Sequence, residues 1–294
     1  MAAQRVSWLI TGASSGLGQS IAAAALQAGH KVIGATRDVS KAEKTNPDFS
    51  SRGGIWVQLD PAQKDAYALF AKVSKEHDID VLVNNAGYAF IGGVEDTSEE
   101  ELRAQMEVNF YGPIRAVRAC LPVMRAKKSG HVVLISSGAG FIARPGRGPY
   151  SASKFAIEAI HESLVEEVET LGVKVLIVEP GAFRTPFSSR IITPAAHDST
   201  GGFSEPYRGT ALDKMVTMSK SAPGVSPSIV LRGDPDKAGR EIVKAVNDGY
   251  DYLRMILGPD CVAAMNLKLG SLHHDLEATK AIAMSTDIDT NEET

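Results

Sequence analysis

Tyr150 and Lys154 stand four residues apart in Tyr150-Ser151-Ala152-Ser153-Lys154, and Ser137 lies thirteen residues before them. A phenol, an ammonium and a hydroxyl at that spacing could manage one proton. On a helix, residues at i and i+4 share a face, so the cation could stand beside the phenol and stabilise it as a phenolate. A free phenol titrates near about 10 and is a poor base at neutral pH; a nearby positive charge is the simplest way to bring it into range. The same spacing also arises on ordinary helix surfaces. Ser137 has a bland reading as well, as a strand-end hydroxyl satisfying a backbone group, a part expected of its neighbour Ser136. The elements around these residues must decide.

Short β-rich runs alternate with longer helical patterns, the signature of βαβ units and a parallel sheet. Strands are predicted at Val6 to Ile10, Lys31 to Thr36, Gly54 to Leu59, Val81 to Asn84, His131 to Ser136, Val173 to Val178 and Tyr252 to Leu257. Several are apolar nearly throughout, which suits strands covered on both faces. Helical spacing runs over Leu17 to Ala28, Ala62 to Glu76, Ser98 to Arg125, Tyr150 to Leu171, Asp236 to Asn247 and Pro259 to Ala283. Gly112-Pro113 predicts a kink in the third of these. The expected fold class is α/β: a doubly wound, parallel, seven-stranded sheet in a single domain. Residues 186–235, rich in Gly, Ser, Pro and Thr apart from a short helical pattern at Thr210 to Lys220, read as a lid. Residues 286–294 read as a polar tail.

The 294 residues carry a net charge of −4 and no long basic run, which argues against nucleic acid or an anionic membrane as partner. No stretch reaches membrane-spanning length, and the N-terminus lacks the pattern of a signal peptide. Cys120 and Cys261 read as free buried thiols, which suits a reducing, cytoplasmic compartment. The seven histidines show no metal-ligand spacing, and no metal is expected.

Directly after the first strand, Thr11-Gly12-Ala13-Ser14-Ser15-Gly16-Leu17-Gly18 opens a helix. That is the context of a phosphate-binding turn: glycines permit a tight turn, bring backbone close to a pyrophosphate and let helix pack on strand. The spacing is G-x-x-x-G-x-G in place of the generic G-x-G-x-x-G, and a Gly-rich turn without ligand is the plain alternative. Asn84-Asn85-Ala86-Gly87 follows the fourth strand, Asn109 lies in the Ser98 to Arg125 pattern, and Pro180-Gly181 with Thr185 follows the sixth strand. With Ser137, Tyr150 and Lys154, this order and spacing resembles the short-chain dehydrogenase/reductase family over nearly the whole chain.

The resemblance implies a nicotinamide-dependent oxidoreductase that interconverts a ketone and a secondary alcohol. Tyr150 would be the proton donor and Ser137 the hydroxyl that orients the reacting oxygen. Lys154 would lower the Tyr150 pKa and bind the nicotinamide ribose, and Asn109 would hold a water linking Lys154 to solvent. Gly12, Ser14, Ser15, Gly16, Leu17 and Gly18 would cradle the pyrophosphate. Asp60 would sit beside the adenine, Asn85 near the adenosine ribose, and Phe183 and Thr185 near the nicotinamide. At the end of the second strand, Thr36 occupies the position of the acid found in NAD-preferring relatives, and Arg37 follows. The expectation is therefore NADP over NAD. Asp38 lies one position too far on unless the loop shifts, and Ser15 replaces a basic residue common in NADP-preferring relatives.

Phe141, Phe183, Phe187, Tyr207, Met215 and Met218 are candidate apolar contacts around the substrate, unless they only pack the lid down. They suggest a medium or large apolar carbonyl or alcohol, with polyketide, steroid, terpenoid and fatty-acyl compounds all open. Two other readings stay open: an epimerase or dehydratase that returns its hydride, and a non-catalytic nucleotide-binding protein of the same fold. Relatives commonly form homodimers or homotetramers through the Ser98 to Arg125 and Tyr150 to Leu171 helices.

Overall fold

A computed structural model describes residues 5–220 and 232–288. The expected lid and tail therefore fall partly outside the described residues, at 221–231 and 289–294. Seven strands form one sheet: β1 (Ser7–Thr11), β2 (Lys31–Thr36), β3 (Ile55–Gln58), β4 (Val81–Asn84), β5 (Gly130–Ile135), β6 (Val173–Pro180) and β7 (Arg254–Leu257). Their spatial order is β3-β2-β1-β4-β5-β6-β7, and every neighbouring pair is parallel. The chain order reverses between β1 and β4, where ligands of open α/β sheets bind.

Period-two alternation sends successive side chains to opposite faces. Leu9, Leu82, Val132 and Val175 join Phe70, Cys120 and Met124 on one side; Trp8, Ile10, Val83, Val133 and Val178 join Ile21, Ala25, Ile242 and Val246 on the other. The first face is covered by α4 (Ala66–His77), α6 (Gly112–Lys127) and α7 (Gly148–Val168), the second by α1 (Gly16–Gln27) and α9 (Pro235–Asp248). A Cβ on Gly239 would lie 2.7 Å from the Ser20 backbone, so α9 approaches α1 that closely only with glycine there.

Three departures from the sequence reading have local causes. Two short helices, α2 (Val39–Thr45) and α3 (Pro47–Ser51), fill a stretch too short to show helical periodicity. The predicted helix from Ser98 to Arg125 is α5 (Glu99–Met106) and α6 joined by a π-helical turn, Glu107–Tyr111. Pro113 has no N–H to donate to the Asn109 carbonyl, so the regular ladder widens there. The helix expected to start at Tyr150 starts at Gly148, because Pro149 is tolerated in a first turn. After β6 come three 3-10 turns, then α8 (Ala211–Lys220), and the chain closes with β7 and α10 (Pro259–Met284). Among the described residues, no helix is long and apolar enough to cross a membrane.

Candidate active site

The carboxyl ends of the strands open into a crevice of about 930 Å³. Fourteen of the sixteen residues singled out from the sequence border it: Gly12, Ser14, Ser15, Gly16, Leu17, Thr36, Arg37, Asp60, Asn85, Ser137, Tyr150, Lys154, Phe183 and Thr185. Gly18 and Asn109 stand behind its wall.

At one end the glycine turn leaves β1 and enters α1. Gly12 and Gly16 have φ of 64° and 59°, in the left-handed region that favours glycine. A Cβ on Gly18 would lie 2.4 Å from Asn85 Nδ2 and 2.5 Å from the Gly12 carbonyl oxygen. The turn is braced from β4: Thr11 Oγ1 accepts the N–H groups of Asn85 and Ala86 at 2.9 and 3.0 Å, and Asn85 Nδ2 donates to the Thr11 carbonyl at 2.8 Å. Sequence reading missed two further braces. Asn46 Nδ2 donates to the Ser14 carbonyl at 2.9 Å, and Arg190 Nη1 donates to Ser15 Oγ at 3.0 Å. Neither lies near the motif in sequence. A glycine cradle at a helix N-terminus, bordered by Thr185 and reached by Arg190, fits the pyrophosphate of a dinucleotide.

Thr36 and Arg37 border the crevice further along β2, with Asp60 opposite. Asp38 does not turn toward it. Its carboxylate caps α2, accepting the Lys41 N–H at 2.9 Å, so the shifted-loop alternative for a ribose-binding acid is not realised.

At the other end, Ser137 follows β5 by two residues; its Oγ accepts the Ala139 N–H at 3.2 Å, and Ser137 and Tyr150 border the same end of the crevice. Ser136 departs from expectation: its hydroxyl donates to the buried Glu158 carboxylate, not to a backbone group. Lys154 is buried, donates to the Ile135 carbonyl at 2.9 Å, and lies 6.0 Å from the centre of the Tyr150 ring. Burial pushes the Lys154 ammonium down to about 8, against the pull of Glu158. Burial raises the Tyr150 phenol above its ordinary value; the Ser137 hydroxyl and the Arg147 charge oppose that rise. Beside Lys154, the cation expected to lower Tyr150, Arg147 is a second cation acting on the phenol. Lys154 gives one of its three N–H groups to a backbone carbonyl, and Arg147 precedes Tyr150 by three residues on the same turn.

Asn109, in the π-helical turn, is buried and holds the loop after β4. Its amide donates to the Tyr88 carbonyl and to Ser153 Oγ, both at 3.0 Å, and its Oδ1 accepts the Tyr88 N–H at 3.2 Å. Asn109 and Lys154 converge on Gly87, where a Cβ would sit 3.0 Å from Asn109 Oδ1 and 3.9 Å from Lys154 Nζ.

The apolar candidates divide. Phe183, Phe187 and Met218 border the crevice, with the Phe187 ring centre 6.0 Å from that of Tyr150. Tyr207 and Met215 instead pack against a cluster that includes Ile91, Leu212 and Val216, and Tyr207 donates its hydroxyl to Glu95. Phe141 is not part of the lining. Ile91, Ile142, Ile191, Arg144 and Arg147 are lining residues that sequence reading did not single out.

The model of the short chain dehydrogenase family matches residues 7–195. An oxidoreductase of Passalora fulva, claN, is 48% identical over 196 residues, 66% of this chain and 90% of that one. The crystal structure of a short-chain dehydrogenase from Streptomyces avermitilis superposes with a TM-score of 0.83 at 37% identity, covering 97% of this chain and all of that one. A short-chain dehydrogenase/reductase from Burkholderia phymatum, solved in complex with NAD, shares the fold at 21% identity with a TM-score of 0.75, covering 95% of this chain and 96% of that one. The chain belongs to the short-chain dehydrogenase/reductase family of oxidoreductases.

Proposed function

We propose that this protein is an NADP(H)-dependent oxidoreductase interconverting a ketone and a secondary alcohol on a substrate with a medium or large apolar body. The observation that carries this reading is that the glycine cradle and the Ser137, Tyr150 and Lys154 side chains border two ends of one crevice. When bound, a nicotinamide supplies or accepts the hydride at the carbonyl carbon. In reduction Tyr150 gives its proton to the carbonyl oxygen as charge develops there, and Ser137 orients that oxygen through its hydroxyl. A phenol held above its ordinary pKa keeps the proton that reduction consumes. Lys154, fixed by the Ile135 carbonyl, lies where it could meet a nicotinamide ribose, and Asn109 holds the Gly87 loop against it.

Thr36 in place of an acid, with Arg37 beside it, supports NADP, because a guanidinium accommodates a 2′-phosphate that a carboxylate would repel. Residues 186–220 with α8 close over the crevice as the described part of a lid. Leu102, Tyr111, Phe155 and Ile160 are large apolar side chains exposed on α5, the π-helical turn and α7, as suits pairing of two copies there; sedimentation at graded concentration tests it.

Purified protein should consume NADPH faster than NADH with bulky ketones, one cofactor per carbonyl reduced. Substrate change without net cofactor consumption would instead mark an epimerase or dehydratase, and no consumption or change with any ketone would mark a binding protein.

A further inference from the structure

Arg147 occupies the junction between the substrate end of the crevice and the first turn of α7, three residues before Tyr150. Its backbone is fixed on both sides: its N–H donates to the Arg144 carbonyl at 3.0 Å, and its carbonyl accepts the Ser151 N–H at 2.7 Å. Gly146 ahead of it takes φ of 71° and its carbonyl accepts the Gly92 N–H at 2.8 Å, while Pro149 stiffens the turn behind. The backbone from which the side chain enters the crevice is therefore fixed.

The Arg147 side chain is half-buried. Its Nε is fully buried with no hydrogen-bond partner among the described residues, and among them no carboxylate forms an ion pair with it. The titratable neighbours that act on it are the neutral Tyr150 phenol and a second cation, Arg144, which borders the same crevice from a more exposed position. The carboxylate in the nearby wall is already engaged: Asp260 accepts the Ala182 N–H at 2.8 Å. Glu158, further behind, is held by Arg254 and Ser136. A half-buried guanidinium with no counter-charge is costly, and the cost falls when an anionic oxygen arrives. The surrounding lining, Ile91, Ile142, Phe187 and Ile191, is apolar, which strengthens such a contact.

We infer that the substrate is an acidic carbonyl compound, an apolar body whose carboxylate or ionised phenol is bound by Arg147 while its ketone faces Ser137 and Tyr150. This rests on the carbonyl-reductase reading above and narrows it. Both kinds of anion present a charged oxygen to a planar fork of N–H donors, the geometry that guanidinium recognises best.

The test compares acid and neutral forms of one skeleton. With NADPH, 4-acetylbenzoate should be turned over with a kcat/KM on the order of 10-fold or more above that of its methyl ester. The same comparison for 4-hydroxy-3-nitroacetophenone and its methyl ether, at a pH where the phenol is ionised, distinguishes carboxylate from phenolate as the anion. R147M should bring the acid-to-ester ratio toward one through the KM of the acid, and R147K should keep most of the preference. Thermal melts of both variants verify folding. Binding of 2-naphthoate against 2-naphthamide, followed by titration with and without NADPH, reads the anion site without turnover; naphthoate should bind more tightly, and R147M should erase the difference. Ketone reduction with equal use of acid and ester, or a preference that R147M leaves intact, would overturn the inference while leaving the reductase reading in place. Arg147-dependent naphthoate binding with no reduction of any ketone would support the anion site and sink the reductase.

Discussion

Lys154 Nζ lies 6.0 Å from the centre of the Tyr150 ring and gives a hydrogen bond to the Ile135 carbonyl at 2.9 Å. The two residues share a helix face, as i and i+4 positions must, but the shorter contact of the ammonium is with the end of β5. Lys154 thus ties α7 to the strand end that carries Ser137, and the phenol takes its nearest modulation from Ser137 and Arg147. On the proposed reading the proton-handling group spans the end of β5 and α7, with Lys154 tying one to the other.

Replacing Tyr150 by Phe keeps the ring and its packing and removes the phenol hydroxyl alone. Carbonyl reduction should fall by roughly 10²- to 10⁴-fold. NADPH affinity, read by quenching of protein fluorescence, should stay within about twofold, because the glycine cradle lies at the other end of the crevice. Near-normal turnover in Y150F would remove Tyr150 from the chemistry.

The burial of Lys154 makes a pH prediction whose sign is opposite to that of a surface ion pair. The folded chain holds this ammonium at about 8, against 10.5 in an unfolded chain. Between those values the unfolded state binds the extra proton, so the Lys154 penalty is full below pH 8 and fades as pH rises toward 10.5. Urea unfolding of wild type and K154M at pH 7 and pH 10 should show the difference between them changing by about 2.5 kcal/mol, to the relative advantage of wild type at high pH. A constant difference would show that the lysine is not held in a desolvated state.

How much of this was legible in the sequence depends on distance along the chain. Gly12 to Gly18, Tyr150 and Lys154 are local patterns, and they become legible once the strands and helices around them are read with them. Strand positions were equally plain, since runs such as Val81 to Asn84 are buried on both faces and need no long-range partner to identify them. The braces were not. Asn46 meets Ser14 across 32 residues and Arg190 meets Ser15 across 175, and neither side chain is unusual where it stands. Asp38 looked like a potential ligand because its capping role depends on a seven-residue helix too short to reveal itself. Nothing in the sequence around Arg147 sets it apart; its place on the crevice wall, with a buried Nε and no counter-charge among the described residues, does.

Behind the site, Arg254 of β7 faces three carboxylates, Glu158, Glu162 and Glu179. Glu179 is fully buried, and burial together with the Glu158 charge pushes it up to about 7. Arg254→Leu would leave these carboxylates uncompensated and should destabilise the fold by about 3 to 5 kcal/mol at pH 7. With the guanidinium gone, the folded-state pKa of Glu179 rises further above its unfolded value. The folded state then binds protons preferentially as pH falls, so the loss should shrink between pH 7 and pH 5. A deficit that is the same at both values would mean that Arg254 acts through packing alone.

Cofactor choice turns on one position at the end of β2. Thr36 is buried, and its hydroxyl accepts the Asp38 N–H at 3.3 Å, holding the corner from which Arg37 borders the crevice. Thr36→Asp would put a carboxylate where a ribose 2′ substituent is read in this fold, repelling a phosphate and accepting from a free hydroxyl. The kcat/KM with NADPH should fall by roughly 10²-fold, with that for NADH rising, because the change replaces an attraction by a like-charge contact. Arg37→Ala removes attraction without adding repulsion, so it should weaken NADPH by only about 10-fold and leave NADH nearly unchanged. The two variants must therefore differ in their effect on NADH. Equal effects on both cofactors, in either variant, would place the 2′-phosphate away from Thr36 and Arg37.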